Sequence, residues 1–125
     1  MHHSTNPPTK AEAEYISKVK ALGCCACATL DLWCPADAAH HILSGGKRMG
    51  HAFVLPLCDG HHVGKWRWEQ QDCIPADKLV SISSGSYAWR KAYPSQRTLW
   101  ELVRLTMKLP VDIWPSSKIL PRSVA

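Results

Sequence analysis

Between Thr9 and Gly23, the apolar residues Tyr15, Ile16, Val19 and Leu22 fall on one face of a helix, the roughly 3.6-residue repeat of a segment packed against a core. Thr9-Lys10-Ala11-Glu12 opens that helix as a capping box, the hydroxyl and carboxylate each satisfying backbone N–H groups, and Gly23 suits its end. Ala38 to Leu43 and Ala52 to Leu57 read as short strands. Gly45, Gly46 and Gly50 between them favour turns, so a β-hairpin with a long loop is the simplest reading. A short helix opens near Cys58 and is limited by Gly64, making strand, strand, helix the central unit. Val63 to Gly85 carries Trp66, Trp68, Cys73 and Pro75 without a clear period and is assigned no regular structure. Ser86 to Tyr93 predicts a short helix. Ser95 then caps a better one, with Leu99, Leu102, Val103 and Thr106 along one side, ending before Pro110.

The organisation that follows is a loose arm over 1–8, one domain over 9–109 and a proline-bearing tail over 110–125. A chain of 125 residues supports a modest core, small enough for a structural metal to matter. No apolar run approaches the roughly 18 residues of a membrane span, and Met1-His2-His3-Ser4 lacks the apolar core of a signal peptide, so a cytoplasmic protein with no membrane partner is expected. The formal charge of +5 favours an anionic partner such as nucleic acid.

Six cysteines allow three disulfides, but Cys24-x-x-Cys27 with Cys58-x-x-His61 and no export signal favours a zinc site in a reducing compartment. Each knuckle presents two ligands from a tight turn, and together they supply the four a structural zinc requires. Cys25, Cys34 and Cys73 fall outside this scheme as core or surface thiols, with Cys34 the main rival for a zinc position. With His61 given to zinc, His40, His41 and His62 remain. Metal-assisted phosphodiester hydrolysis needs a cation on the phosphate and a base for water, so two ligands and one base is an economical division. Neighbours on a flat strand point to opposite faces, so His40 and His41 address one site only with local twist or a bulge. Lys47, Arg48, Lys65 and Arg67 form either a phosphate-contacting rim or a solvated surface. Trp66, Trp68 and Trp89 suit core packing better than base stacking.

Ala39-His40-His41-Ile42 and Leu57-Cys58-Asp59-Gly60-His61-His62 resemble the motif of the HNH, or ββα-metal, nucleases. More closely, Leu22-Gly23-Cys24-Cys25-Ala26-Cys27, His40-His41-Ile42 with its glycine-bearing loop to His51, and Leu55-Pro56-Leu57-Cys58 resemble the phage Ref (recombination enhancement function) family of RecA-dependent HNH nucleases. The resemblance runs from about Thr9 to the helix after Ser95 and leaves out the tail beyond Pro110. It implies an α+β fold, a small zinc-stabilised ββα-metal (HNH) core with flanking helices. It implies His41 as general base, His40 and His62 as ligands of a catalytic divalent ion, Mg2+ above others, and Zn2+ held by Cys24, Cys27, Cys58 and His61. The implied partners are DNA and a host RecA filament. The middle asparagine of the HNH pattern falls near Phe53, whose ring cannot make its polar contacts, leaving His51 as a possible support. Two other classes remain open: a non-catalytic zinc-stabilised DNA-binding module, and a structural zinc protein that docks a partner through its tryptophans.

Overall fold

The computed structural model describes residues 7–44 and 46–108; most of the expected arm and the whole of the expected tail lie outside that range. Helix α1, Lys10–Ala21, begins at the capping box, with Glu12 N donating to Thr9 Oγ1 at 3.1 Å and Thr9 N to Glu12 Oε1 at 2.8 Å. It leaves through Gly23 at φ +88°, a left-handed conformation that glycine adopts without strain. A side chain there would also meet the Trp33 indole, 2.5 Å from a Cβ.

The one-turn helix α2, Cys25–Ala28, leads to strand β1, Ala38–His41, which pairs antiparallel with β4, Val54–Leu57. Their register sets His40 opposite Leu55 and His41 opposite Val54. Within the long hairpin loop, β2 (Leu43–Ser44) and β3 (Lys47–Arg48) make a second, two-residue ladder. Both regular strands are shorter than the apolar pattern predicts: the pairing of β1 stops at His41, and β4 begins only at Val54. Ala52 is instead anchored by its carbonyl, which accepts from Trp100 Nε1 at 3.0 Å.

All four β4 residues are buried, because α1 and α6 (Gln96–Thr106) both pack against this strand. Val19, Leu55, Leu57, Leu99, Trp89 and Trp100 form the centre of the core. Ser95 caps α6 as expected, accepting from Thr98 N at 3.2 Å. Helix α3, Asp59–Val63, follows β4 directly and ends at Gly64 in the left-handed region. Val63 to Gly85, assigned no regular structure from sequence, contains helix α4 (Trp68–Cys73) and two 3-10 turns, Ala76–Lys78 and Ile82–Ser84, before α5 (Ser86–Ala92). Helix α4 shows no apolar stripe because its one buried residue is the polar Gln70. The chain is thus a mixed α/β structure with a small antiparallel sheet, and among its described residues no helix is long and apolar enough to cross a membrane.

Candidate functional site

Cys24 and Cys58 each stand at a helix N-cap and use the sulfur as the cap acceptor, Cys27 N lying 3.4 Å from Cys24 Sγ and His61 N 3.5 Å from Cys58 Sγ. In both turns, the residue three places on therefore faces the same side as the cap. The strand pair brings the two turns together so that the donor atoms of Cys24, Cys27, Cys58 and His61 lie within 4.8 Å of one another, all four residues being buried. His61 Nδ1 is 3.5 Å from Cys24 Sγ, 3.5 Å from Cys27 Sγ and 3.4 Å from Cys58 Sγ, and Cys27 Sγ is 4.0 Å from Cys58 Sγ. A tetrahedral zinc with Zn–S near 2.3 Å and Zn–N near 2.0 Å has S···N edges of about 3.5 Å and S···S edges of about 3.8 Å. The residues present fit that ion.

Charge supports the same fit. Hydrogen bonding with Cys24 and Cys27 holds the Cys58 thiol well below its ordinary value, whereas Cys24, Cys58 and then burial push Cys27 well above it. Three buried sulfurs this close repel one another when charged, and a dication among them would offset that repulsion.

Two side chains that sequence reasoning missed complete this centre. His61 Nε2 donates to Tyr93 Oη at 2.6 Å, and Tyr93 Oη donates to the Lys78 carbonyl at 2.6 Å, which fixes Nδ1 as the metal-facing nitrogen. The Gln70 amide donates toward Cys58 Sγ at 3.3 Å, Cys34 Sγ at 3.5 Å and Cys27 Sγ at 3.8 Å. Cys34 therefore neighbours the centre without joining the four-donor set. Neither Tyr93 nor Gln70 carries a local sequence signature, because each reaches its partner across the fold.

The remaining described histidines divide into two pairs. His40 meets His62 edge to face, ring centroids 5.3 Å apart, while His41 meets His51 at 5.1 Å, with His41 Nε2 and His51 Nδ1 3.0 Å apart. Strand alternation thus separates the adjacent His40 and His41 toward different partners, with no bulge to reunite them in the β1–β4 register. His40 and His62 line a cleft of about 640 Å³ whose other wall comes from α5 and the start of α6, including Arg90, Gln96 and Arg97. His41 is not among its lining residues. Burial, then the positive neighbours Arg48, His51 and His40, hold the His41 imidazole down at about 4, so it is neutral at physiological pH. His40 is lowered by burial and by His62, with Gln96 opposing the shift.

Lys47 and Arg48 are exposed on β3, and Arg48 lies near enough to His41 to influence its titration. Lys65 is exposed just after α3. Arg67 is tied to Asp37 at 3.1 Å, and Asp37 also accepts from Asp59 N at 2.9 Å, so this pair braces the start of α3. Trp89 is buried against Tyr93 and His61, and Trp66 packs on His61, whereas Trp68 is exposed.

No curated protein matches the chain closely enough to add a comparison. A family model does: the one described as recombination enhancement, RecA-dependent nuclease matches residues 8–106, a span that holds both metal-ligand turns and all four of the other described histidines, and the chain belongs to that family.

Proposed function

We propose that the protein is a metal-dependent DNA endonuclease of the HNH, or ββα-metal, type, hydrolysing phosphodiester bonds in DNA engaged by a RecA filament in the host cytoplasm. The nuclease unit spans residues 9–109, with 1–8 and 110–125 as appendages. The observation that carries this reading is the β1–β4–α3 unit, which sets His40 and His62 together on one wall of an open cleft. Family membership supports the partners and the reaction class.

Cys24, Cys27, Cys58 and His61 hold a structural zinc that ties the α2 turn to the start of α3 and so fixes where His62 stands. His40 and His62 are the histidine ligands for a catalytic divalent ion, Mg2+ or another. That ion supplies Lewis-acid stabilisation of the charge developing on the phosphate when bound. His41 is the general base. With Nε2–H donating to His51 Nδ1, its free Nδ1 lone pair takes the proton of the attacking water, and His51 holds the ring in that tautomer. His51 thereby supports the base in place of the missing asparagine. Lys47, Arg48 and Lys65 contact flanking phosphates; Arg67 adds to the positive field while bracing Asp37.

The test is nicking of RecA-coated DNA by the zinc-loaded protein with and without Mg2+ or Mn2+. Loss of nicking in His62→Ala with zinc content unchanged is expected. One observation favours a second reading, a non-catalytic zinc-stabilised DNA-binding module: His41 pairs with His51 instead of facing the cleft. Tight DNA binding with no divalent-dependent nicking by the wild type would select it.

A further inference from the structure

The wall of the cleft that faces His40 and His62 is cationic. Arg90 of α5 and Arg97 of α6 line it, and among the described lining residues there is no aspartate or glutamate. Glu101, one turn along α6, holds Arg97 in place, with Arg97 Nε 3.4 Å from Glu101 Oε2, and is not itself a lining residue. Arg90 Nε donates to the Ser86 carbonyl at 3.3 Å, one turn back along α5. A guanidinium stays charged at any physiological pH and presents a planar fork of donors that matches phosphate, so this wall selects an anion. On the histidine side, Leu43 and Val63 line the cleft and are exposed apolar side chains. Guanidinium facing apolar surface suits a nucleotide, with its phosphate and its sugar and base, better than a bare inorganic anion.

Tyr87 extends this surface. Ser86 and Arg90 stand one turn apart on the row of α5 that lines the cleft, and Tyr87 and Lys91 form the neighbouring row. Tyr87 is 72% exposed, and Lys91 Nζ lies over its ring, 5.3 Å from the centroid. An exposed aromatic ring beside a cationic cleft is a platform on which a base can stack. Bases inside a duplex stack on one another and do not reach it, so the platform serves an unpaired strand. We propose that α5 and the start of α6 bind an unpaired DNA strand, Arg90 and Arg97 contacting backbone phosphates and Tyr87 stacking on a base. The inference rests on the reading of the protein as one that acts on DNA. It deepens that reading by naming the form of the strand and three contact residues outside the strand–strand–helix unit.

The experiment is fluorescence anisotropy of the full-length, zinc-loaded protein with a labelled oligothymidylate and with a duplex of equal length, over a range of salt and without added divalent ion. The wild type is expected to bind the single strand more tightly than the duplex. Arg90→Gln is expected to weaken single-strand binding about tenfold and to make the slope of log affinity against log salt shallower by about 0.7, the signature of one lost phosphate contact. Tyr87→Ala is expected to weaken it about tenfold with the salt slope unchanged, and Tyr87→Phe, which keeps the ring, to bind as wild type does. Circular dichroism and zinc content should be unchanged in all three, since both positions are exposed. Single-strand affinity that neither Arg90→Gln nor Tyr87→Ala alters overturns the site, whether or not the protein cuts DNA. A wild type that prefers the duplex, with Arg90→Gln weakened and Tyr87→Ala not, overturns the unpaired strand in favour of a duplex backbone. Single-strand binding that depends on both residues, in a protein that nicks no DNA with any divalent ion, upholds this inference while the endonuclease reading fails.

Discussion

The Tyr93 hydroxyl sits between His61 Nε2 and the Lys78 carbonyl, 2.6 Å from each, in a position only 5% exposed. Tyr93→Phe keeps the ring packing on Trp89 but leaves a buried N–H and a buried carbonyl unpaired. The expected cost is about 1–3 kcal/mol in unfolding free energy. Zinc affinity should fall about tenfold or more, read by competition with a chromophoric chelator. The thiols sort by the same logic: Cys27→Ser should lose zinc, whereas Cys34→Ser, which alters a neighbour of Gln70 and Cys27 outside the four-donor set, should keep one zinc per chain by elemental analysis. The four-residue cluster was legible in the sequence because each pair sits three residues apart in a single turn, so the spacing itself encodes the geometry. Tyr93 and Gln70 were not, since they lie 32 and 12 residues from the ligands they support, and nothing in their neighbourhood marks them.

At the scale of elements, α3 carries the heaviest demand: one turn holds a zinc ligand, a cleft histidine and a glycine against which Trp66 lies. A Cβ on Gly60 would collide with the Trp66 ring, so Gly60→Ala is expected to destabilise the fold by about 1–3 kcal/mol through overpacking, measured as a lower denaturant midpoint with an unchanged slope. Helices α1 and α6 followed from caps and apolar spacing, because each packs an apolar face that the 3.6-residue repeat reveals, whereas α5 was expected only as a short helix without a cap. Helix α4 escaped that reasoning for a physical reason: it is anchored by the hydrogen bonds of Gln70 to Arg67 N and to the thiols, and hydrophobic periodicity carries no trace of such an anchor. The strand alternation that separates His40 from His41 was foreseeable, and the structure resolves it as two histidine pairs, one facing the cleft and one facing Arg48.

For the molecule as a whole, the Cys24, Cys27, Cys58 and His61 cluster joins the α2 turn to α3, and its four residues are within a few per cent of complete burial. Chelation of the proposed zinc is therefore expected to unfold the domain, because three buried thiols and an imidazole would lose the ion that joins them. The near-ultraviolet signal of the buried Trp89 and Trp100 should collapse on chelation and return when zinc is restored. The family relationship is to RecA-dependent nucleases of recombination enhancement, and the proposed substrate is DNA held by RecA. The most direct test is cleavage of a duplex paired with a RecA–single-strand filament, with a divalent ion present, by wild type and by His41→Ala. The account predicts that His41→Ala keeps its zinc and fold and loses at least about a hundredfold in cleavage rate, the scale of removing a general base. Undiminished cutting by that variant would contradict it.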